Sequence, residues 1–571
     1  MRLLVLLGAL FYLPSMVNAQ ILFKEEAALL GLEDACGNTY LGNGISFTDY
    51  NNDGWDDVSF TTGIGESVKF YKNTNGIFSE EILNLPLINY QTKQINWVDY
   101  DNDGDKDLFV TSDTDGNRLF QNDGNLNFQD VTLASGISTA NMYSYGASWG
   151  DINNDGHLDI FISNRDLDFI NTNKLYQNDG DGTFTDVTAQ AGVAASALSF
   201  CSAFFDYNND GFQDIYVSND KFPVKNLMYK NNGDGTFDEV GQATETDVGI
   251  DAMTVTVGDY NNDSWFDIYV TNSPDGNVLF KNNGDGTFID IADTSGTLFE
   301  SIGWGAVWLD AENDMDLDLY VSGSPDGSYE PYLSAAFYKN IGPDSFEIPT
   351  DAGFAGDEAS SYSNAIGDIN NDGLPEIVVS NNLEDNIFIW NNLTTTSNNW
   401  LKVKLEGTVS NRDGIGSVLE ISINDNKQYR YTHCGEGYLS QNSESEFFGL
   451  GPHTSVDYLK VTWLSGIVDY FYNVSANQLL EVTEGSGTLS LNNQPDLGFN
   501  LYPNPVSSFL NINSKILIHS FEILTLTGQR LFLEDVFNKQ LTFDISSLPS
   551  GTYFIKLKTD SSNNTLKFIK R

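Results

Sequence analysis

The sequence predicts an all-β protein: a seven-bladed β-propeller, then a small β-domain, then an immunoglobulin-like β-sandwich. Three observations predict it. A nine-residue acidic loop recurs seven times at spacings of 50 to 58 residues. Short β-rich runs flank every copy, with almost no helical periodicity. Beyond residue 395 the acidic repeat stops, and alternating strands with glycine turns follow.

At 571 residues the chain exceeds one ordinary domain. Residues 1–19 read as a secretory signal. Arg2 gives the basic start, "LLVLLGALFYL" the apolar core and "VNA" a small-residue cleavage site before Gln20. That run is short for a bilayer span, so cleavage is expected, with no membrane span afterwards. The formal charge is −52, from 80 acidic against 28 basic residues. Such a surface repels nucleic acid and anionic membranes and attracts cations. Arg118 and Arg165 are the arginines between residues 20 and 400, which disfavours arginine forks for phosphate or carboxylate there. Cys36, Cys201 and Cys434 allow at most one internal disulfide, so an exported chain needs another stabiliser.

Residues 20–395 carry the repeat. Its loops are "DYNNDGWDD" at 49, "DYDNDGDKD" at 99, "DINNDGHLD" at 151, "DYNNDGFQD" at 206, "DYNNDSWFD" at 259, "DAENDMDLD" at 310 and "DINNDGLPE" at 368. A strand-like run such as "SYGASWGD" precedes each loop, and a run such as "DIFISN" follows it. Two short strands around a turn come next, as in "NKLYQNDGDGTFTDV". Four strands per unit at this period match propeller blades. The seventh unit ends in "NIFIWNN" without a "GDGTF" strand. Residues 23–32, "FKEEAALLGL", have the phase of that fourth strand, so the N-terminal segment is expected to complete the last blade and close the ring.

Positions 1, 3, 5 and 9 of the loop are Asp, Asn or Glu, and position 6 is mostly Gly. Alternating oxygens suit calcium, a hard cation that takes six to eight of them. Position 7 varies in type, as expected if it contributes its backbone carbonyl. The candidate ligands are Asp49, Asn51, Asp53, Trp55 and Asp57 in the first loop, and Asp99, Asp101, Asp103, Asp105 and Asp107 in the second. Asp151, Asn153, Asp155, His157 and Asp159 follow in the third, and Asp206, Asn208, Asp210, Phe212 and Asp214 in the fourth. The fifth offers Asp259, Asn261, Asp263, Trp265 and Asp267, and the sixth Asp310, Glu312, Asp314, Asp316 and Asp318. The seventh offers Asp368, Asn370, Asp372, Leu374 and Glu376. These sites read as structural, up to seven Ca2+, with metal binding coupled to blade stability. Ser264 in loop five, and Glu312 and Met315 in loop six, depart from the pattern and predict weaker or distorted sites.

These loops and strands resemble the FG-GAP/VCBS repeat family of calcium-loop propellers. In residues 396–485, "NWLKVKLEGTVSNRDGIGSVLEIS", "GEGYLSQNSESEFFGLG" and "VDYLKVTWLSGIVDYFYNV" resemble the ASPIC/UnbV domain. The combination is similar to cartilage acidic protein-like sequences. "NRDGIG" reads as a tight hairpin, and His433 beside Cys434 as incidental. Residues 486–499 read as a linker. In 500–571, "LYPNPVSSFLNI", "FEILTLTGQRL" and "FDISSLPSGTYFIKLKTD" resemble the type A C-terminal sorting domain of type IX secretion. That resemblance implies export through the type IX machinery to the outer cell surface or the medium.

Two functions are compatible with this layout. The first is a non-enzymatic binding or adhesion module for a glycan or extracellular protein, with no catalytic residue assigned. It would use the loops opposite the acidic ones, of which 322–337 is the longest. The alternative is a polysaccharide lyase or glycosidase on a calcium propeller, for which no motif is present.

Overall fold

The computed structural model describes residues 20–37, 39–324, 332–487, 500–504, 506–525, 530–549, 551–559 and 563–571. The expected signal at 1–19, the middle of the 322–337 loop and most of the 486–499 linker lie outside the described residues. The chain forms two compact units, up to residue 488 and from 489 onward.

Each of the first six acidic repeats contributes four antiparallel strands to one sheet, and the seventh contributes three. In the third, Ser144–Gly150, Asp159–Asn164, Lys174–Asn178 and Phe184–Asp186 pair in sequence order. The first two strands are buried along their whole length and the fourth shows only its Phe inward. Continuous apolar runs therefore lie innermost and alternating ones outermost. The seventh sheet takes its fourth strand from the N-terminus: Phe23–Glu25 pairs with Phe388–Asn392, Phe23 opposite Asn392. This is the clasp that the phase of residues 23–32 predicts.

Apolar side chains fill the gaps between successive sheets. Tyr50 stacks on Trp97 across the first gap, with ring centroids 4.7 Å apart. Phe47 and Tyr71 of the first sheet pack with Val378 and Ile389 of the seventh, so the sheets close into a ring. Each sheet thus buries both faces against neighbours, and the alternative of an open row is excluded.

Residues 399–483 form a two-sheet sandwich. Asn399–Glu406 lies between Ser445–Gly451 and Leu479–Thr483, and Val418–Ile423 lies between Asn426–Tyr431 and Ser455–Thr462. Leu401, Leu419, Leu459 and Trp463 are among its core. The sandwich packs on the acidic-loop face of the ring, and its segment 432–446 enters the central channel. There Ser440–Gln441 pairs in parallel with Ile45–Ser46 of the first sheet. The Gln441 amide accepts from Trp97 N and donates to Trp97 O, both at 2.7 Å. Trp149 N donates to Cys434 O, Gly437 N to Val255 O and Ser443 N to Ile366 O. The innermost strands are edges facing the channel, and this segment satisfies backbone groups on five of them.

The second unit, by itself, is one hydrogen-bonded sheet of the described strands Asn500–Tyr502, Phe509–Thr525, Arg530–Asp544, Gly551–Lys558 and Asn563–Lys570. Its core includes Leu510, Ile523, Ile555 and Phe568. Among the described residues no helix is long and apolar enough to cross a membrane.

Candidate metal centres

All seven acidic loops share one hydrogen-bond scheme. The position-1 carboxylate accepts the backbone N–H groups of positions 5 and 6. In loop one Asp49 accepts from Asp53 at 3.0 Å and Gly54 at 2.8 Å. In loop seven Asp368 accepts from Asp372 at 3.2 Å and Gly373 at 2.9 Å. Loop five keeps the scheme with Ser264, 2.8 Å from Asp259, and loop six keeps it with Met315, 2.9 Å from Asp310. Both residues adopt the left-handed conformation that glycine takes elsewhere, with φ of 74° and 86°. The expected distortion is therefore absent from the backbone, though a non-glycine residue there costs about 1–2 kcal/mol.

Position 9 opens the second strand and is buried. One of its oxygens anchors the third strand: Asp57 accepts from Asn73 N at 2.7 Å and Asp107 from Asn122 N at 2.8 Å. Glu376 instead accepts from Ile369 N within its own loop, at 2.8 Å. The second oxygen has no hydrogen-bond partner in Asp107, Asp267 and Glu376. Those of Asp159, Asp214 and Asp318 accept a backbone N–H of position 2.

The carboxyls of the metal-free loops are pushed toward the neutral form. Burial, then neighbouring carboxylates, holds Asp57 and Asp107 up at about 9 despite their backbone donors. Burial raises Asp214 to about 8 and Asp259 to about 7, and it pushes Asp159, Asp267, Asp318 and Glu376 well above the carboxylate range. Carboxylates of Asp99, Asp101 and Asp103, and of Asp310, Glu312 and Asp314, each bring oxygens within 4.8 Å of one another. Buried oxygens without donors, crowded against like charge, fit a hard cation.

In loops two to five, position 7 points its side chain at the turn between third and fourth strands; in loop two a Cβ on Gly124 would lie 3.2 Å from the Asp105 carboxylate. A Cβ on Gly180 would lie 2.8 Å from the His157 ring, one on Gly233 2.8 Å from Phe212, and one on Gly284 2.8 Å from Trp265. The rings of Phe212, Trp265 and His157 are thus directed away from their own loops, leaving the backbone carbonyl as the donor.

Two further residue sets organise the face, and both lie outside the oxygen pattern. The position-4 asparagines have φ of 56° to 60°, and six of the seven reach the next loop. Asn102 Nδ2 donates to Gly156 O, Asn154 to Gly211 O, Asn313 to Gly373 O and Asn371 to Gly54 O, at 2.9 to 3.0 Å. The last of these joins the seventh loop to the first. In six of the seven blades, the second excepted, an asparagine at the end of the third strand staples the blade to the preceding one: Asn231 Nδ2 donates to Ile152 O at 2.8 Å and to Gln213 O at 3.0 Å. Asn73, Asn178, Asn282, Asn340 and Asn392 repeat this. Their signal in the sequence is a recurring Asn in "YKN", "YQN" and "WNN", at the end of the second strand beyond each loop.

The sandwich engages the loops directly. "NRDGIG" is a docking loop as well as a turn: Asp413 accepts Asp99 N at 3.0 Å and pairs with Lys106 at 2.6 Å, and Arg412 N donates to Asn102 Oδ1. Lys402, 3 % exposed, places its ammonium 3.1 Å from Asp368 and 2.9 Å from Asn371 Oδ1. All three cysteines are free and buried, and burial pushes their thiols up, away from nucleophile chemistry.

Comparison with known proteins agrees with this architecture. Residues 49–321 match the FG-GAP-like repeat in five overlapping copies, residues 407–489 match ASPIC and UnbV, and residues 500–571 match the secretion system C-terminal sorting domain. Cartilage acidic protein 1 of Xenopus tropicalis is 24 % identical over 52 % of this chain and 50 % of the relative. The human protein is 29 % identical over 38 % of this chain and 33 % of its own length, and the mouse protein 21 % over 75 % and 71 %. The chain thus spans about half or less of the frog and human relatives. Among solved structures, PorZ, a surface component of the Porphyromonas gingivalis type IX secretion system, aligns over 92 % of this chain and 81 % of its own, at 10 % identity and TM-score 0.28. AofleA of Arthrobotrys oligospora aligns over 56 % and 90 %, at 13 % identity and TM-score 0.32. Scores this low carry no argument about function. The C-terminal domain marks the chain for secretion to the cell surface or beyond. The chain thus carries regions matching FG-GAP-like repeats, ASPIC and UnbV, and a secretion system C-terminal sorting domain, and it is similar to cartilage acidic protein 1.

Proposed function

We propose that this protein is an exported binding or adhesion module whose propeller is held rigid by calcium and whose ligand is a glycan or another extracellular protein. The observation that carries the reading is the unequal treatment of the two faces. The acidic-loop face is covered by the sandwich, and its channel is filled by residues 432–446. Among the described residues of the first unit, the loops between second and third strands on the opposite face carry exposed apolar side chains. Leu167 is 62 % exposed, Ile170 77 % and Phe222 77 %, on neighbouring loops of the third and fourth blades. Rigid loops with exposed apolar tips are the usual place for recognition.

Calcium is supported by hard oxygen donors at alternating positions and by buried carboxylate oxygens without partners. It would be held by positions 1, 3, 5 and 9 and the position-7 carbonyl, and its charge would offset the crowding of carboxylates. A glycan array probed with and without calcium tests the proposal. Retention on glycans or extracellular matrix protein, lost in Phe222→Ala with Ile170→Ala, supports it. Depolymerisation of a polysaccharide panel, or retention unaffected by those substitutions, overturns it.

A further inference from the structure

Loops two and six differ from the other five in a way that bears on the metal. All five alternating positions are carboxylates: Asp99, Asp101, Asp103, Asp105 and Asp107, and Asp310, Glu312, Asp314, Asp316 and Asp318. The other loops have Asn at position 3 and Trp, His, Phe or Leu at position 7.

The unpartnered oxygens follow this division. Among the described residues, loop two holds three shielded carboxylate oxygens without a donor, on Asp101, Asp105 and Asp107. Loop six also holds three, on Glu312, Asp314 and Asp316. Loops five and seven hold one each, on Asp267 and Glu376, and loops one, three and four hold none. Asp107 and Glu312 are each 1 % exposed, so water does not solvate them freely.

Local cations leave this demand unmet. In loop two, Lys106 turns away to Asp413 and Glu444, at 2.6 and 3.0 Å, and the neutral Gln121 amide serves Asp101. In loop six, Lys339 contacts Glu312 and lies 4.0 Å from Asp314, one ammonium against five carboxylates. Affinity of such loops rises with the number of charged ligands.

We propose that loops two and six are a high-affinity pair of divalent-cation sites, in which carboxylate ligands at position 3 (Asp101, Glu312) and the added charge of Asp105 and Asp316 raise the affinity. They keep their metal under conditions that strip the other five. This reverses the weak binding expected of loop six from Glu312 and Met315, because the longer arm and the strained turn matter less than the added charge. The inference rests on the calcium reading above.

The test uses the full chain and calcium alone. Protein loaded with calcium is dialysed against buffers of stepped free calcium, and bound metal is counted by mass spectrometry. The expected result is a plateau of two equivalents that persists to at least tenfold lower free calcium than empties the rest. Asp105→Asn and Asp316→Asn each remove one equivalent from the plateau, and the double variant removes both. Asp53→Asn, in loop one, leaves the plateau intact. Folding tolerates the substitutions, since position 7 carries no carboxylate in five loops, and each variant reports independently of the other. Loss in one phase, or a plateau surviving the double variant, overturns the inference while leaving the calcium reading standing. A chain that binds no calcium at any concentration overturns the reading itself.

Discussion

The two faces of the propeller obey different constraints. On one, a repeated pattern recurs: position 1 caps the turn in every loop, position 4 reaches the next loop in six of them, and position 9 anchors the third strand in all but the seventh. On the other, loops differ in length and sequence and end in exposed apolar residues such as Ile170 and Phe222. Regularity marks the face that holds the ring together, and irregularity marks the face we propose for a partner.

The largest expected effect comes from breaking the regular face. Chelation leaves crowded carboxylates with orphaned oxygens, so the melting temperature should fall by at least 10 °C in excess EDTA. An unchanged melting curve would contradict this. The metal-free protein should also respond to pH in a defined direction. Asp57, Asp107 and Asp214 bind protons in the folded state up to pH about 9, 9 and 8, against the ordinary carboxylate range when unfolded. Between pH 4 and 9 the folded state therefore binds more protons, and stability falls as pH rises. Calorimetry should show a metal-free chain that melts higher at pH 5 than at pH 8.5. Added calcium should remove or reverse that slope, since protons then compete with metal.

Smaller effects come from single staples. Asn231→Ala leaves Ile152 O and Gln213 O without their amide donor in a buried place. The cost should be about 2–4 kcal/mol, read by denaturant unfolding. Gln441→Ala removes the amide that bridges the channel segment to Trp97, and should cost about 1–3 kcal/mol. It should also raise hydrogen exchange in residues 432–446 before any blade strand; uniform exchange would show that the segment is not a separate tie. The smallest effect on stability belongs to the other face. Phe222→Ala should change stability by less than about 0.5 kcal/mol while weakening ligand retention.

Much of the regular face was legible from residues alone. The oxygen positions, the four-strand period and the N-terminal clasp are local patterns repeated in register, and repetition makes weak signals additive. The asparagine ties are not legible there, although Asn52 to Asn371 and Asn73 to Asn392 recur as faithfully as the aspartates. Their partners sit one blade away, and nothing in a single repeat reveals a contact with its neighbour. The channel segment was hidden for a stronger reason. "CGEGYLSQNSE" lacks periodicity, and its bonds to Ser46 and Trp97 join residues more than 300 positions apart. "NRDGIG" read as a hairpin because its turn is local, whereas its role at Asp99 depends on docking. Position types taken one at a time predict weak binding in loop six, whereas its unpartnered oxygens show charge accumulating across positions.

The central claim is that cations sit inside the acidic loops of a closed ring. Crystals grown in calcium and measured with long-wavelength X-rays test it most directly. The account predicts anomalous peaks within the loops, strongest between Asp99 and Asp107 and between Asp310 and Asp318. A well-ordered ring with no peak in any loop would contradict it.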